Sequence, residues 1–160
     1  MLPFFIRHTI GCIHLKLHVM QHPDLLYDTL VPAEGVSLTM SSSSVSWFDK
    51  DGIYCSASRK DARIETIEEL KESTEAWISK MKGEKICWLM TVNPKMQTNK
   101  EIRDYLGEVL PKTVKAMALI STSVLTRMMA NLFFSIKDLG YPTKVFSDVE
   151  HAKVWLKHYL

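Results

Sequence analysis

The chain has 160 residues, of which 46% are hydrophobic and 24% are charged, with only 6 Gly and 6 Pro. This size and composition indicate one folded domain, or one domain with a tail, and exclude a disordered or collagen-like chain. Twenty basic and 18 acidic side chains leave a formal charge of +2, too balanced to predict a nucleic-acid-binding or membrane-binding surface. We therefore expect neither partner.

The cysteine content and the hydropathy of the sequence bear on the cellular compartment and on the presence of transmembrane segments. The three cysteines form no CxxC pair, which argues against a zinc site or a disulfide framework and favours a reducing, cytoplasmic compartment. Every apolar run is interrupted before the roughly 18 residues that a membrane-spanning helix needs. We therefore predict no transmembrane segment.

Residues 1–44 differ in kind from the rest. They hold four of the six His, show no clear helical or strand period, and end in four consecutive serines. We expect a poorly ordered N-terminal extension here and a folded domain over 45–160. Met40 stands directly before the serines. An alternative hypothesis is therefore that the start codon is misassigned, so that residues 1–39 do not belong to the natural protein.

Three histidines in this extension have helical spacing. His14, His18 and His22 recur every four residues, and on a helix they would share one face able to hold zinc or copper. Pro23 follows at once and no carboxylate pattern accompanies them. The preferred interpretation is a non-structural extension, so no metal is assigned.

From residue 45 onward the predicted elements follow one another regularly. A β-hairpin over 45–57 turns at Asp51-Gly52, a dipeptide suited to the positive φ angles of a tight turn. Further strands are predicted at 86–92, 114–120 and 144–147, and helices at 66–81, from 98, at 123–137 and from 148. The order ββαβαβαβα predicts an α/β fold: one mixed sheet of four to five strands covered by about four helices.

Catalytic patterns are missing from the sequence. It contains no GxGxxG, GxxxxGK[ST], HExxH or GxSxG motif. Cys55 and Cys87 lie within predicted strands, where a buried structural thiol is the expected role. We therefore predict a protein that is not an enzyme and uses no cofactor.

Thr98 permits two interpretations. It precedes Glu101 by three residues, which is the spacing of a capping box at a helix start. A phosphate on Thr98 would also meet the N-terminus of a helix that follows a central strand, a favourable place for negative charge. Thr98 is thus predicted to be a helix cap or a phospho-acceptor.

The predicted helix at 123–137 is unusually apolar. Its polar residues Ser123, Arg127, Asn131 and Ser135 recur every four positions as one narrow stripe, and nearly everything else is large and apolar. A surface helix needs an apolar stripe of only about 100°. Either the helix is buried inside the domain, or it offers a surface to a partner, a second subunit or a lipid-like ligand. The candidate contact residues are Arg127, Met128, Met129, Asn131, Phe133 and Phe134.

The second half of the chain resembles a known group. The features are the apolar strand ending near Ile120, Ser123 with Arg127 on the next helix, the run 131–134 (NLFF), and 142–146 (PTKVF) before an acidic helix cap. The segment 98–105 (TNKEIRDY) fits as well. In these features residues 45–160 resemble the SpoIIAA-like, STAS-type proteins, and most closely their small bacterial, Bacteroidetes-type members.

The resemblance implies a protein that binds rather than catalyses. Anti-sigma-factor antagonists of the wider family carry a phosphorylatable Ser or Thr in an Asp-x-Ser context, whereas the corresponding loop here, 91–98 (TVNPKMQT), has no such motif. Our first hypothesis is a non-enzymatic regulatory or protein-interaction module with an unidentified partner, dimeric through the 123–137 helix. The alternative is a small apolar or lipid-like ligand bound along that helix, as related CRAL-TRIO-like folds suggest.

Overall fold

The computed structural model describes residues 24–63, 65–94 and 99–160, with backbone alone at 80 and 136. It contains six strands: β1 (Thr39–Met40), β2 (Ser44–Phe48), β3 (Tyr54–Ser58), β4 (Ile86–Thr91), β5 (Val114–Ile120) and β6 (Thr143–Phe146). They form one sheet in the order β1-β2-β3-β4-β5-β6. The pairs β1–β2 and β2–β3 are antiparallel, and the other three are parallel.

Four helices alternate with the later strands: α1 (Ile67–Met81), α2 (Lys100–Thr113), α3 (Val124–Ile136) and α4 (Val149–Leu156), the last followed by a 3-10 turn at Lys157–Tyr159. This confirms the α/β class, the mixed sheet and the predicted order from the hairpin onward. The strand count is six rather than four to five. The additional strand is β1, which pairs with the open edge of β2 and so bonds backbone groups that an edge strand leaves unpaired.

Side-chain caps begin the helices. At α1, Thr66 Oγ1 accepts a hydrogen bond from Glu69 N (3.2 Å) and Glu69 Oε2 accepts one from Thr66 N (3.0 Å), which completes a capping box. At α2 the cap is Asn99, whose Oδ1 accepts from Ile102 N at 2.9 Å. Asn is as good an N-cap as Thr, and the helix begins one residue later than the Thr98 spacing predicts. Thr98 itself lies outside the described residues.

Different helices pack against the two faces of the sheet. On one face, α4 packs through Val149, Ala152 and Leu156 against inward residues of β2–β5, which together form the main core. On the other face lie α1 and α2, whose Trp77, Met81 and Leu110 pack near Ile86, Val114 and Met117. Helix α3 lies beside β6.

Part of the predicted extension belongs to the folded domain. Leu25 and Leu30 are 4% and 3% exposed and join the α4-side core, where Val36 and Leu38 pack against them. Leu26 N also donates to Ser58 O at 2.8 Å. Residues 24–44, which we assigned to the extension, thus contribute buried side chains and backbone hydrogen bonds to the domain. They lack a helical or strand period because they cover the core as an irregular segment, not as a helix or long strand.

Candidate functional site

Two residues of the polar stripe on helix α3, Arg127 and Asn131, face the sheet, whereas Ser123 and Ser135 at its two ends are exposed. Arg127 Nη1 donates to Ser121 O at 2.8 Å, just past the end of β5. The Asn131 amide donates from Nδ2 to Val145 O (3.1 Å) and accepts at Oδ1 from Val145 N (2.8 Å). Since β6 is an edge strand, the Asn131 side chain takes the place of a neighbouring strand at that residue. Arg127 and Asn131 therefore fasten α3 to the sheet.

The opposite side of α3 is apolar and open. We call it the α3 face and define it by six residues that are 50–70% exposed: Val124, Leu125, Met128, Met129, Leu132 and Phe133. An ordinary surface helix buries its apolar side and exposes its polar side, and here the arrangement is inverted. The α3 face is thus a contiguous apolar surface without a partner among the described residues.

The six predicted contact residues separate into two groups. Met128, Met129 and Phe133 lie on the α3 face. Phe134 is half-buried and meets Phe133 edge-on, with ring centroids 5.5 Å apart. Arg127 and Asn131 were expected on the same surface but face the sheet, because β5 and β6 present backbone groups that need their hydrogen bonds.

A second feature, which the sequence reading missed, is a cavity of about 720 Å³ between α1, α2 and strands β2–β5. We call it the serine cavity. Its floor on β2 and β3 holds four serines in two directly opposed pairs, Ser44 with Ser58 and Ser46 with Ser56. The intervening residues Val45, Trp47, Cys55 and Ala57 point into the core on the other face. Small side chains beneath a helix leave the space that larger ones would fill.

Aromatic and aliphatic side chains form the rest of the wall. Tyr54 lies at the centre of an aromatic cluster, with its ring centroid 5.0 Å from Phe48, 6.1 Å from Trp77 and 5.8 Å from Trp88. Helix α1 adds Leu70, and helix α2 adds Ile102, Leu106 and Leu110. The surface of the cavity is therefore largely apolar, with polar groups on the serine floor and at further lining residues such as Thr74, Thr91 and Asn93.

Some polar groups in the wall of the cavity have hydrogen-bond partners, and one does not. The hydroxyls of Ser46 and Ser56, both buried, lie 2.9 Å apart, and Ser46 also hydrogen-bonds the Tyr54 phenol. Burial raises the pKa of Tyr54 despite that hydrogen bond, so the phenol stays neutral at physiological pH. The indole Nε1 of Trp88 is buried and has no hydrogen-bond partner among the described residues. An unpaired buried N–H is unusual and costs free energy.

One acidic side chain borders the cavity. Glu65, just before α1, accepts a hydrogen bond from Ser43 Oγ at 2.7 Å. Of the described residues that line the cavity, none is Lys, Arg or His. The surroundings therefore favour neutral over anionic contents.

The sequence does contain the signal for this cavity. In the strand segments 44–48 (SVSWF) and 54–58 (YCSAS), serine alternates with apolar residues. Such alternation is typical of a strand with one solvated face. Because α1 covers that face, the same pattern produces an internal space instead. Only the position of α1 distinguishes the two outcomes.

The predicted role of the cysteines is confirmed for the described pair. Cys55 and Cys87 are free thiols with 0% and 2% exposure. Burial raises the pKa of Cys55 to about 12 and raises that of Cys87 as well. Both thiols therefore stay protonated at neutral pH and are poor nucleophiles.

The described residues show neither a metal-binding cluster nor a membrane-spanning helix. Within 24–63, 65–94 and 99–160, no group of three His, Cys, Asp or Glu side chains is placed to hold a metal ion. His14, His18 and His22 lie outside these ranges. No helix in the described part of the chain combines the length and apolarity needed to cross a bilayer.

Fold and surface together define a small α/β domain in which an inverted helix flanks the sheet. More particularly, the chain belongs to the family described as "Domain of unknown function (DUF7793)", which matches residues 46–160. That match begins in the middle of β2 and runs to the last residue of the sequence. No curated protein and no solved structure matches the chain.

Proposed function

We propose that this chain is a non-enzymatic protein-interaction module whose partner at the α3 face is a second copy of itself. The observation that carries the proposal is the inverted orientation of α3, with six large apolar residues outward and the polar Arg127 and Asn131 toward the sheet. A regulatory role of the STAS type in the cytoplasm, as the sequence resemblance implies, is part of this proposal.

The size of the α3 face supports a stable interface. At its 50–70% exposure the six residues leave on the order of 700 Å² open, close to the roughly 800 Å² that each partner contributes to a standard interface. This also exceeds the roughly 300–600 Å² of the largest apolar patch on a typical monomer. Covering the surface removes an exposure that would otherwise promote aggregation.

Charge favours a second copy over other occupants. Arg127 is the only charged residue of α3, and its guanidinium bonds the Ser121 carbonyl on the sheet side. Lys137, which follows the helix, has its Nζ 5.5 Å from the centroid of the Phe133 ring, at the C-terminal end of the α3 face. Two copies related by a twofold axis can pack the α3 faces antiparallel, which keeps the two Lys137 ammonium groups at opposite ends of the interface. A helix that lies on a membrane carries Lys and Arg along its outer polar edge, and α3 has no such edge.

The alternative, an apolar or lipid-like ligand along α3, receives less support. None of the six residues of the α3 face lines the serine cavity. Phe134 borders an open depression with Trp155 and Tyr141, away from the α3 face. An elongated ligand on the α3 face would remain largely in contact with water, which lowers the gain from burial.

Light scattering coupled to size-exclusion chromatography tests the proposal. The full chain should elute with about twice its 18.4 kDa mass. Leu125→Glu should convert it to a monomer, or weaken dimerisation at least about tenfold in a dilution series, because the new carboxylate would be buried without a partner. Leu125 is 70% exposed, so the change leaves the core of the domain intact.

Val154→Glu provides the matched control. Val154 is 61% exposed on a different helix, α4, and is not part of the α3 face, so this variant should remain dimeric. A wild-type chain that stays monomeric at high micromolar concentration contradicts the proposal. So does a dimer that Leu125→Glu and Val154→Glu affect equally.

A further inference from the structure

We propose that the serine cavity binds a neutral, largely apolar small molecule that carries a carbonyl-type hydrogen-bond acceptor. This site is separate from the α3 face, and the inference does not depend on self-association. The cavity's volume of about 720 Å³ falls within the roughly 300–1,000 Å³ typical of small-molecule sites.

The walls suit a flat apolar body. Tyr54, Trp77 and Trp88 bring three aromatic rings within 6.4 Å of one another, and Trp77 stacks on Tyr54 at an interplanar angle of 24°. Aromatic surfaces stabilise a planar ligand through offset stacking and burial. Leu70 and Leu106 on the two helices complete the apolar enclosure.

The charge pattern excludes an anionic head group. A carboxylate or phosphate inside the cavity would find no Lys, Arg or His among the described lining residues. It would also lie near Glu65, which borders the same space. Burial of an unpaired negative charge beside another is strongly unfavourable, so the ligand is neutral.

The free donors in the wall specify an acceptor on the ligand. The Trp88 N–H is buried without a partner among the described residues. The hydroxyls of Ser56, Ser46 and Tyr54 are joined by two hydrogen bonds, and three hydroxyls carry three protons, so one donor of this group is left over. A carbonyl oxygen has two lone pairs and can accept from the indole and from a serine together.

Fluorescence titration of the full chain with prodan, a neutral naphthyl ketone, tests the site. We expect saturable binding of one prodan per chain, with the blue-shifted emission of an apolar environment. Ser56→Leu, which fills the floor, should weaken binding more than tenfold. Trp88→Phe keeps the aromatic wall and removes the N–H, and should weaken it roughly fivefold, the value of about one neutral hydrogen bond.

Two controls make the outcome specific. Ser79→Leu places the same change on the exposed side of α1, outside the cavity lining, and should bind prodan like the wild type. Ser46→Val is the second filling variant should Ser56→Leu fail to fold, as judged by circular dichroism, because Val favours a strand. Leu125→Glu should retain binding, since Leu125 lies on the α3 face.

Competition tests the charge of the ligand. The methyl ester of naphthoic acid should displace prodan at concentrations at least tenfold lower than naphthoate at neutral pH. The inference is overturned if the wild type does not bind prodan, if binding survives in the filled variants, or if naphthoate competes as well as its ester.

Discussion

The Glu69 carboxylate makes two interactions at the start of α1. Its carboxylate accepts a hydrogen bond from Thr66 N and pairs with the guanidinium of Arg63. The hydrogen bond from Arg63 and that from the Thr66 backbone lower the pKa of Glu69 from 4.5 to about 2. A carboxyl with a lowered folded-state pKa stabilises the fold above its unfolded-state pKa.

Glu69→Gln should therefore reduce stability in a pH-dependent way. The difference in urea midpoint between wild type and variant should be constant above pH 4.5 and shrink as the pH falls toward 2, where the wild-type carboxyl becomes protonated. Glu72→Gln, an exposed change on the same helix, is the control and should show little difference. A gap between wild type and Glu69→Gln that is unchanged from pH 5 to pH 2 would contradict the assignment.

Helix α3 is held by hydrogen bonds rather than by an apolar seam. Its contact with β6 depends on Asn131, which bonds both the N–H and the C=O of Val145. An amide side chain can present a donor and an acceptor together, as a neighbouring strand would. This attachment leaves the apolar residues of α3 free for the interface that we propose.

Asn131→Leu keeps the side-chain volume and removes both hydrogen bonds. We expect a loss of about 1–3 kcal/mol in unfolding free energy and faster hydrogen exchange at the Val145 amide, since its donor loses its partner. Ser135→Leu is the matched control, because the Ser135 hydroxyl bonds only the Leu132 carbonyl of its own helix. Equal stability and equal exchange in the two variants would show that Asn131 does not fasten α3.

At the scale of the whole molecule, the sheet separates two kinds of interior. The α4 side is a close-packed core that includes Leu25 and Leu30 from the N-terminal segment. The α1–α2 side contains the serine cavity. The segment 24–38 therefore contributes to the core, which it shares with apolar residues of β2 such as Val45 and Trp47.

Truncation measures this contribution. A chain over 40–160 should melt at least about 10 °C below a chain over 24–160, because it loses several buried apolar side chains. In the full chain, Leu30→Ala should cost about 2–5 kcal/mol, whereas Val31→Ala, at a residue that is 50% exposed, should cost much less. Equal melting temperatures for the two truncated chains would mean that 24–38 only rests on the surface.

Local signals in the sequence were sufficient for most elements. The helical periodicity of 66–81, the apolar run that became β4 and the run at 114–120 each depend on residues close together in the chain. The predicted helix cap at Thr98 shows the limit of such signals, because Asn99 next to it caps equally well. Competing residues one position apart have nearly equal free energies as caps.

The sequence alone predicted the α/β class and the order of elements. It also predicted the buried thiols of Cys55 and Cys87 and the unusual apolarity of α3. The orientation of α3, the inclusion of residues 24–44 and the serine cavity required the tertiary structure. Each depends on groups distant in the chain: Asn131 with Val145, Leu25 and Leu30 with the α4-side core, and α1 above the serines of β2 and β3. A periodic pattern records which residues share a face, whereas packing between elements determines whether that face meets water, a core or an empty space.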